Sequence, residues 1–415
     1  MPVPLSAFFL FCALPLQHLL GNVPLHAAEP RPSTKTVEIE DPLPYAQAPI
    51  LYHDAETSDH LAAWTKQLDA DSSSPEFDPT TGYLMPLLDA LSISLNSQIL
   101  VFSKTAVNTK QIGPKTPRAI YFNDEVYVAW VPGAKTIELA AVDPVKGFLF
   151  YTLPQDPQRG LQLRRERSCL TCHVNSATLN IPGVMLRSMS VDDKGKPYEG
   201  FPRITHASPY AKRWGGWYVT GSPAGMTHLG NLVGKDQFRR HIDDATFRGT
   251  VADLAEFCDL STYPSSQSDV VPLLVFNHQA HGQNLILRVG YEARLGVKSN
   301  AEEELFRYLL FLDEPPLPSP VNGSREYRTW FEQQAPADDN GNLLREFELK
   351  TRLFRYRISY LIYSRPFQQL PDDVKMRMYD RIKQALAGND VNVPATWHTD
   401  EERAVLTNLL DATLK

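Results

Sequence analysis

The sequence predicts an α+β fold, with a β-meander-containing N-terminal part, a loop-rich middle and a helical C-terminal part. Three observations lead to it. Between about residues 98 and 152, short apolar segments of strand length alternate with turn residues. Between 153 and 235, Gly, Pro, His, Met and Trp are frequent, and neither strand nor helical periodicity persists. From 269 onward, apolar residues return at helical spacing.

The elements follow in order. Leu5 to Leu20 is a mostly apolar run broken by Gln17 and His18, and it leads to Leu25-His26-Ala27-Ala28. The run is too short and interrupted for a membrane span, and small residues stand where a peptidase would cut. Residues 1–28 therefore read as a signal peptide, although a basic start is missing. Residues 29–97 read as an extended arm followed by helices near 59–70 and 82–93, with a Ser/Asp/Pro-rich loop between them. The β-rich part spans 98–160, with strands at 98–104, 119–122, 126–131, 136–142 and 148–152. Asn123-Asp124-Glu125 marks a hairpin, and Pro132-Gly133 and Asp143-Pro144 mark later turns. Residues 161–300 form the loop-rich region, ending in a long helix at 269–290. Residues 301–415 are helical: 302–312 is stopped by Glu314-Pro315-Pro316, a Pro-rich linker covers 314–321, and helices follow at 343–364, 372–387 and 400–414.

Charge and cysteine usage narrow the function. The formal net charge is −7 and no basic run stands out, which argues against a nucleic-acid partner. Of four cysteines, Cys12 lies in the signal segment, leaving Cys169, Cys172 and Cys258. An exported chain of this length with so few cysteines has no disulfide framework. Cys258 reads as a small buried core residue.

Cys169-Leu170-Thr171-Cys172-His173 is the most informative stretch. C-x-x-C-H is the spacing that attaches one haem c covalently, the two thiols adding to the porphyrin and the histidine ligating its iron. A zinc site would need a second ligand pair at matched spacing, which the sequence lacks. A thioredoxin-like redox pair would need a βαβ context, which this loop-rich region does not offer. His173 is thus the expected proximal ligand, its other ring nitrogen donating to a carbonyl. Loop-rich backbone around the motif fits a region whose core is partly cofactor, here termed the haem c region.

The second axial ligand stays open on the residues alone. Met185, Met189, His206, Met226, His228, His278 and His281 are downstream candidates, and an open position is another. Met226 lies at the distance at which small c-type cytochromes supply a methionine. His278 and His281, three apart on one helix, share a face. Arg187, Arg203 and Arg213 are candidate partners for the haem propionates, because guanidinium groups match carboxylates. Trp214 and Trp217, in Trp214-Gly215-Gly216-Trp217-Tyr218, suit packing on a flat macrocycle, and the same run also suits a tight turn with core tryptophans.

From about residue 95 onward the chain resembles a family of exported bacterial proteins with a single C-x-x-C-H, described as cytochrome c domain-containing. The resemblance rests on Val101 to Thr105, Pro117 to Asp124, Cys169 to His173, Arg213 to Gly221, His228 to Asn231, Thr351 to Tyr356 and Ser359 to Ser364. It implies one haem c held inside a larger globular body. It also implies that histidines matching His206, His228 and His278 belong to the pattern while the methionine positions vary. His228 is then the expected sixth ligand, with His206 next.

The expectation is an exported, periplasmic or secreted monohaem c-type cytochrome-like protein that transfers electrons to a periplasmic redox partner protein. The rival is a haem enzyme, peroxidase-like, with an open or displaceable sixth iron position, since a simple carrier needs less chain. A redox or gas sensor and a zinc-bound structural protein rank behind both.

Overall fold

The computed structural model describes residues 41–414 apart from 55, 72–74, 107–108, 245–246 and 248–252. The signal peptide expected at 1–28 and the first part of the arm lie outside the described residues. The described residues of 41–58 carry turns and no helix or strand, and Leu43, Ile50 and Tyr52 among them are buried in the core.

The architecture is α+β. Helix α1 (His60–Asp71) starts where the Asp59 carboxylate accepts from the Leu61 and Ala62 amides, at 3.0 and 3.1 Å. Helix α2 (Leu84–Ala90) follows. The strands are β1 (Ile99–Val101), β2 (Arg118–Phe122), β3 (Val126–Trp130), β4 (Thr136–Asp143) and β5 (Gly147–Pro154), each overlapping its predicted segment. The β2–β3 hairpin is closed by Asn123, whose side-chain oxygen accepts from the Glu125 and Val126 amides at 3.0 and 2.9 Å.

Two more strands join this meander from the loop-rich region: β6 (Arg164–Arg165) and, after α3 (Leu170–His173) and the separate hairpin β7 (Ser188–Val191)–β8 (Pro197–Phe201), β9 (Trp217–Tyr218). The seven-stranded antiparallel sheet runs β6-β5-β4-β3-β2-β1-β9. The sheet therefore crosses the sequence division placed at residue 160, and both added strands flank the C-x-x-C-H turn in the chain.

The sheet has two unequal faces. On one, Tyr151 donates to Asp59 at the start of α1 (2.8 Å), and the inward residues of β2 to β5 are buried. The other is covered by a long helix. After α4 (Lys235–Asp243), helix α5 (Val270–Leu295) starts at the Asp269 cap and ends at Gly296 in the left-handed conformation. Phe276 of α5 packs edge-on against Phe122 and Tyr127, and Tyr127 donates to Gln283 at 2.6 Å.

Helix α6 (Ala301–Leu309) packs behind α5, and Tyr308 donates to the His278 carbonyl at 2.9 Å. Gly282 is required at this crossing, because a Cβ there would strike Leu361 and Tyr308. Helices α7 (Arg325–Glu332), α8 (Arg365–Gln368), α9 (Asp372–Leu386) and α10 (Asp400–Thr413) complete the chain. A capping box of Thr399 and Glu402 starts α10.

The helix expected over 343–364 is a correction. That segment is irregular, with a 3-10 turn at Tyr360–Tyr363. The Glu348 carboxylate accepts from the Lys350, Thr351 and Arg352 amides, bonds that compete with a helix. Leu349 has φ 59°, and Phe347 bridges to Phe354 across the resulting turn. Helices α4 and α7 were not anticipated. Among the described residues no helix is long and apolar enough to cross a membrane.

Candidate functional site

Cys169 to His173 forms one tight helical turn, closed by the amides of Cys172 and His173 donating to the Cys169 carbonyl at 3.1 and 3.0 Å. The turn follows edge strand β6, so it sits at the rim of the sheet. Cys172 is exposed and Cys169 half-buried, and both are free thiols. Burial first, then the nearby Glu138 and Glu166 carboxylates, push the Cys169 thiol up to about 11. That opposes the thiolate character a redox-active cysteine pair needs.

His173 is held with one nitrogen tied and one free. Its Nδ1 lies 2.8 Å from the Gly183 carbonyl, which makes Nδ1 the protonated donor and leaves the Nε2 lone pair without a partner among the described residues. The ring rests on Phe150, centroids 4.5 Å apart. Burial, more than Arg187 and Arg118, lowers its pKa to about 4, so it is a neutral imidazole at neutral pH.

The Gly183 carbonyl is itself positioned from α5. Asn284 accepts from the Val184 amide at 3.2 Å and donates to the Val184 carbonyl at 2.6 Å. A Cβ on Gly183 would come within 2.5 Å of Asn284 Oδ1, so glycine is needed for this approach. The Gly183 amide also donates to the His173 carbonyl at 3.0 Å, tying the two segments in both directions.

Beside the turn, the sheet face that carries Phe150 includes a half-buried strip. Ala129, Glu138 and Thr152 lie opposite one another on β3, β4 and β5, and Arg118 stands on the same face of β2. All four are half-buried, as is Thr136 on β4, whereas Ile120, Phe122, Tyr127, Ala140, Val142, Phe148 and Phe150 of this face are buried. Trp217 of β9 borders the strip, paired through Val101 with Arg118, and donates to the Arg187 carbonyl at 2.7 Å.

Two guanidinium groups act on this strip. Arg118 reaches Glu138 only at 3.5 Å, and its buried Nε has no hydrogen-bond partner. Arg187 touches Met185 sulfur at 3.3 Å and forms no ion pair among the described residues. Both bear electrostatically on His173. Two carboxylates lie here as well, Glu138 on the strip and Glu166, which accepts from Thr152 at 3.3 Å.

The other sequence-predicted residues are placed elsewhere. His228 is fully buried with both nitrogens engaged: Nε2 is 3.0 Å from Ser222 Oγ, and Nδ1 accepts from the Gly230 amide at 3.0 Å. His206 Nδ1 lies 2.8 Å from His278 Nδ1, and its ring stacks on Tyr308 at 3.8 Å. Met226 is core. None of the three makes a hydrogen bond or ring contact with His173 among the described residues.

Arg213 also departs from expectation. It is buried, donating through Nε and Nη2 to the Ser208 and His206 carbonyls at 2.8 and 2.6 Å and lying over Tyr210, so it clamps a loop. Trp214 is bound to Asn277 of α5 at 2.8 Å and is structural, whereas Trp217 borders the strip. Arg118 and Asn284 were missed by the sequence reading. The available signal was a charged residue opening an otherwise apolar strand, Arg118-Ala119-Ile120-Tyr121-Phe122.

No His, Cys, Asp and Glu cluster of three or more that could hold a bare metal ion occurs among the described residues, which leaves the Cys169–Cys172 pair without a zinc ligand set. A surface cleft of about 540 Å³ is lined by Lys104, Lys115, Tyr218 and Phe257 and includes no residue of the motif. Comparison with protein-family models, with curated proteins and with solved structures gave no match to this chain.

Proposed function

We propose that the chain is a monohaem c-type cytochrome-like protein that exchanges electrons through haem attached at Cys169 and Cys172. The observation that carries this reading is the state of His173: its Nδ1 fixed on the Gly183 carbonyl, its Nε2 without a partner among the described residues, and its ring kept neutral by burial, in the same turn as both thiols. A proximal ligand needs that tautomer and that restraint. The residues fit the group in other respects. Arg187 and the orphaned Arg118 Nε, both acting on His173, are the cationic groups that two propionates would meet.

When bound, the haem would supply a one-electron iron couple. The chain's own work is to hold the imidazole, to cover one side of the group with sheet, and to leave the Cys172 edge open for exchange. The redox partner would be periplasmic, given the export signal expected at 1–28. The test is optical and paramagnetic spectroscopy on protein matured in a host competent for cytochrome assembly. A haem spectrum that cycles reversibly between two oxidation states supports the reading, and iron that cannot be cycled refutes it.

The enzyme alternative gains from one observation. The polar groups nearest the strip are Arg118, Glu138 and Arg187 rather than a second histidine, an arrangement that suits an open sixth position with a carboxylate and guanidinium available for proton handling. A high-spin ferric spectrum with peroxide turnover selects it, and a low-spin spectrum in both states selects the carrier.

A further inference from the structure

We propose that the surface cleft beside β9 is a binding site for a small, flat aromatic anion of the aromatic dicarboxylate kind. The cleft measures about 540 Å³, the size of a small-molecule site, and segments far apart in the chain meet in it. Lys104 follows β1, Lys115 precedes β2, and Lys194 stands in the turn between β7 and β8. The cleft shares no residue with the Cys169–His173 turn, so the proposal does not depend on haem.

The first argument is charge. None of the three lysines forms an ion pair among the described residues, where the lysine ion pairs are those of Lys375 and Lys383. Two carboxylates, Asp193 and Glu256, line the same cleft and yet neutralise none of the ammonium groups. The Asp193 carboxylate is turned toward Gly234 at the start of α4, where an added Cβ would meet its Oδ1. The lining therefore carries a net positive charge in a chain of net charge −7. The two carboxylates disfavour a long polyanion, which would meet them along with the lysines.

The second argument is the wall. Phe257 and Val233 are half-buried in the cleft, and the buried Tyr218 ring lies 5.6 Å from that of Phe257. Phe102 in turn packs on Tyr218 at 4.5 Å, so the aromatic wall is backed by core. The Tyr218 hydroxyl donates to the Pro114 carbonyl at 2.7 Å, which ties the loop carrying Lys115 to β9. The Lys104 amide donates to the Gly195 carbonyl at 2.9 Å, which ties the end of β1 to the turn carrying Lys194. Three ammonium groups thus rise from cross-tied backbone around one half-buried ring. Acidic substituents would meet the lysines while a flat ring covers Phe257.

The test is titration calorimetry on the full chain with naphthalene-2,6-dicarboxylate, naphthalene-2,6-dimethanol and inorganic phosphate. The expected result is saturable binding of the dicarboxylate, about tenfold tighter than either the neutral ring or the ringless anion. Lys115→Ala with Lys194→Ala should weaken it about tenfold without lowering the melting temperature, because both side chains are exposed and hold no carboxylate. Lys115→Arg with Lys194→Arg should keep the affinity. Phe257→Leu, which keeps an apolar side chain and removes the ring, should weaken the dicarboxylate about threefold. No saturable binding of the dicarboxylate, equal affinity for all three probes, or an affinity untouched by removing the two lysines would overturn the proposal.

Discussion

His173 and His228 lie on two sides of one physical distinction. His173 is half-buried at the rim of the sheet, with one nitrogen tied to a carbonyl and the other without a partner among the described residues. His228 is sealed in the core with both nitrogens satisfied and Trp214 packed against it. Burial keeps both rings neutral, with His228 pushed down to about 3. Neutrality therefore does not separate the two rings. The second nitrogen does: His173 Nε2 has no partner among the described residues, whereas both His228 nitrogens have one.

The largest effect that can break this contrast concerns attachment. Cys169→Ala with Cys172→Ala should abolish covalent haem completely while circular dichroism stays near wild type, because Cys172 is exposed and Cys169 only half-buried. Retained covalent haem would put the attachment site elsewhere. The next test sharpens it. His173→Ala should change the iron spectrum, whereas His228→Ala should leave it unchanged and cost about 1–3 kcal/mol of stability by stranding Ser222 and the Gly230 amide. A changed spectrum in the His228 variant would restore it as a ligand.

Asn284→Ala probes how the rim ring is held. It leaves the Val184 amide and carbonyl unpaired, so unfolding should show a loss of about 1–3 kcal/mol, and the iron spectrum should broaden as the Gly183 carbonyl loosens. A stability loss with an unchanged spectrum would separate Asn284 from the site.

Acid sensitivity probes the core side. His228 and His278 are each lowered to about 3 by burial, so the unfolded chain takes up protons first as pH falls. Stability contributed by these rings is complete above about pH 6.5 and is lost progressively toward pH 3. His228→Gln should flatten the fall in melting temperature between pH 7 and pH 4, and an unaltered slope would show that the ring is not buried neutral. The smallest effect is expected for Arg118→Gln in haem-free protein, a change of less than about 1 kcal/mol, because its link to Glu138 is long. The same variant should destabilise the haem-loaded form more, and equal effects in both forms would argue against an anion at Arg118.

Much of this was readable before the fold was known. The meander, its Asn123 hairpin and the long helix α5 follow from short-range patterns that packing then reinforced. The motif turn and the carbonyl partner of His173 were likewise accessible from spacing and haem chemistry. The 343–364 segment failed because Glu348 offered its backbone a competing set of bonds that apolar periodicity does not reveal. The surroundings of His228 and Arg213 were hidden for another reason. Closeness in sequence to the motif did not foretell that Arg213 would clamp His206, or that His228 would be spent on Ser222 and Gly230. Arg118 and Asn284 come from distant strands and helices, and only the fold brings them to His173.

Intact mass of the mature chain, produced where cytochrome assembly is active, tests the central claim most directly. The account predicts a mass increased by one haem that survives denaturation and vanishes in the double cysteine variant. An unmodified polypeptide would contradict it.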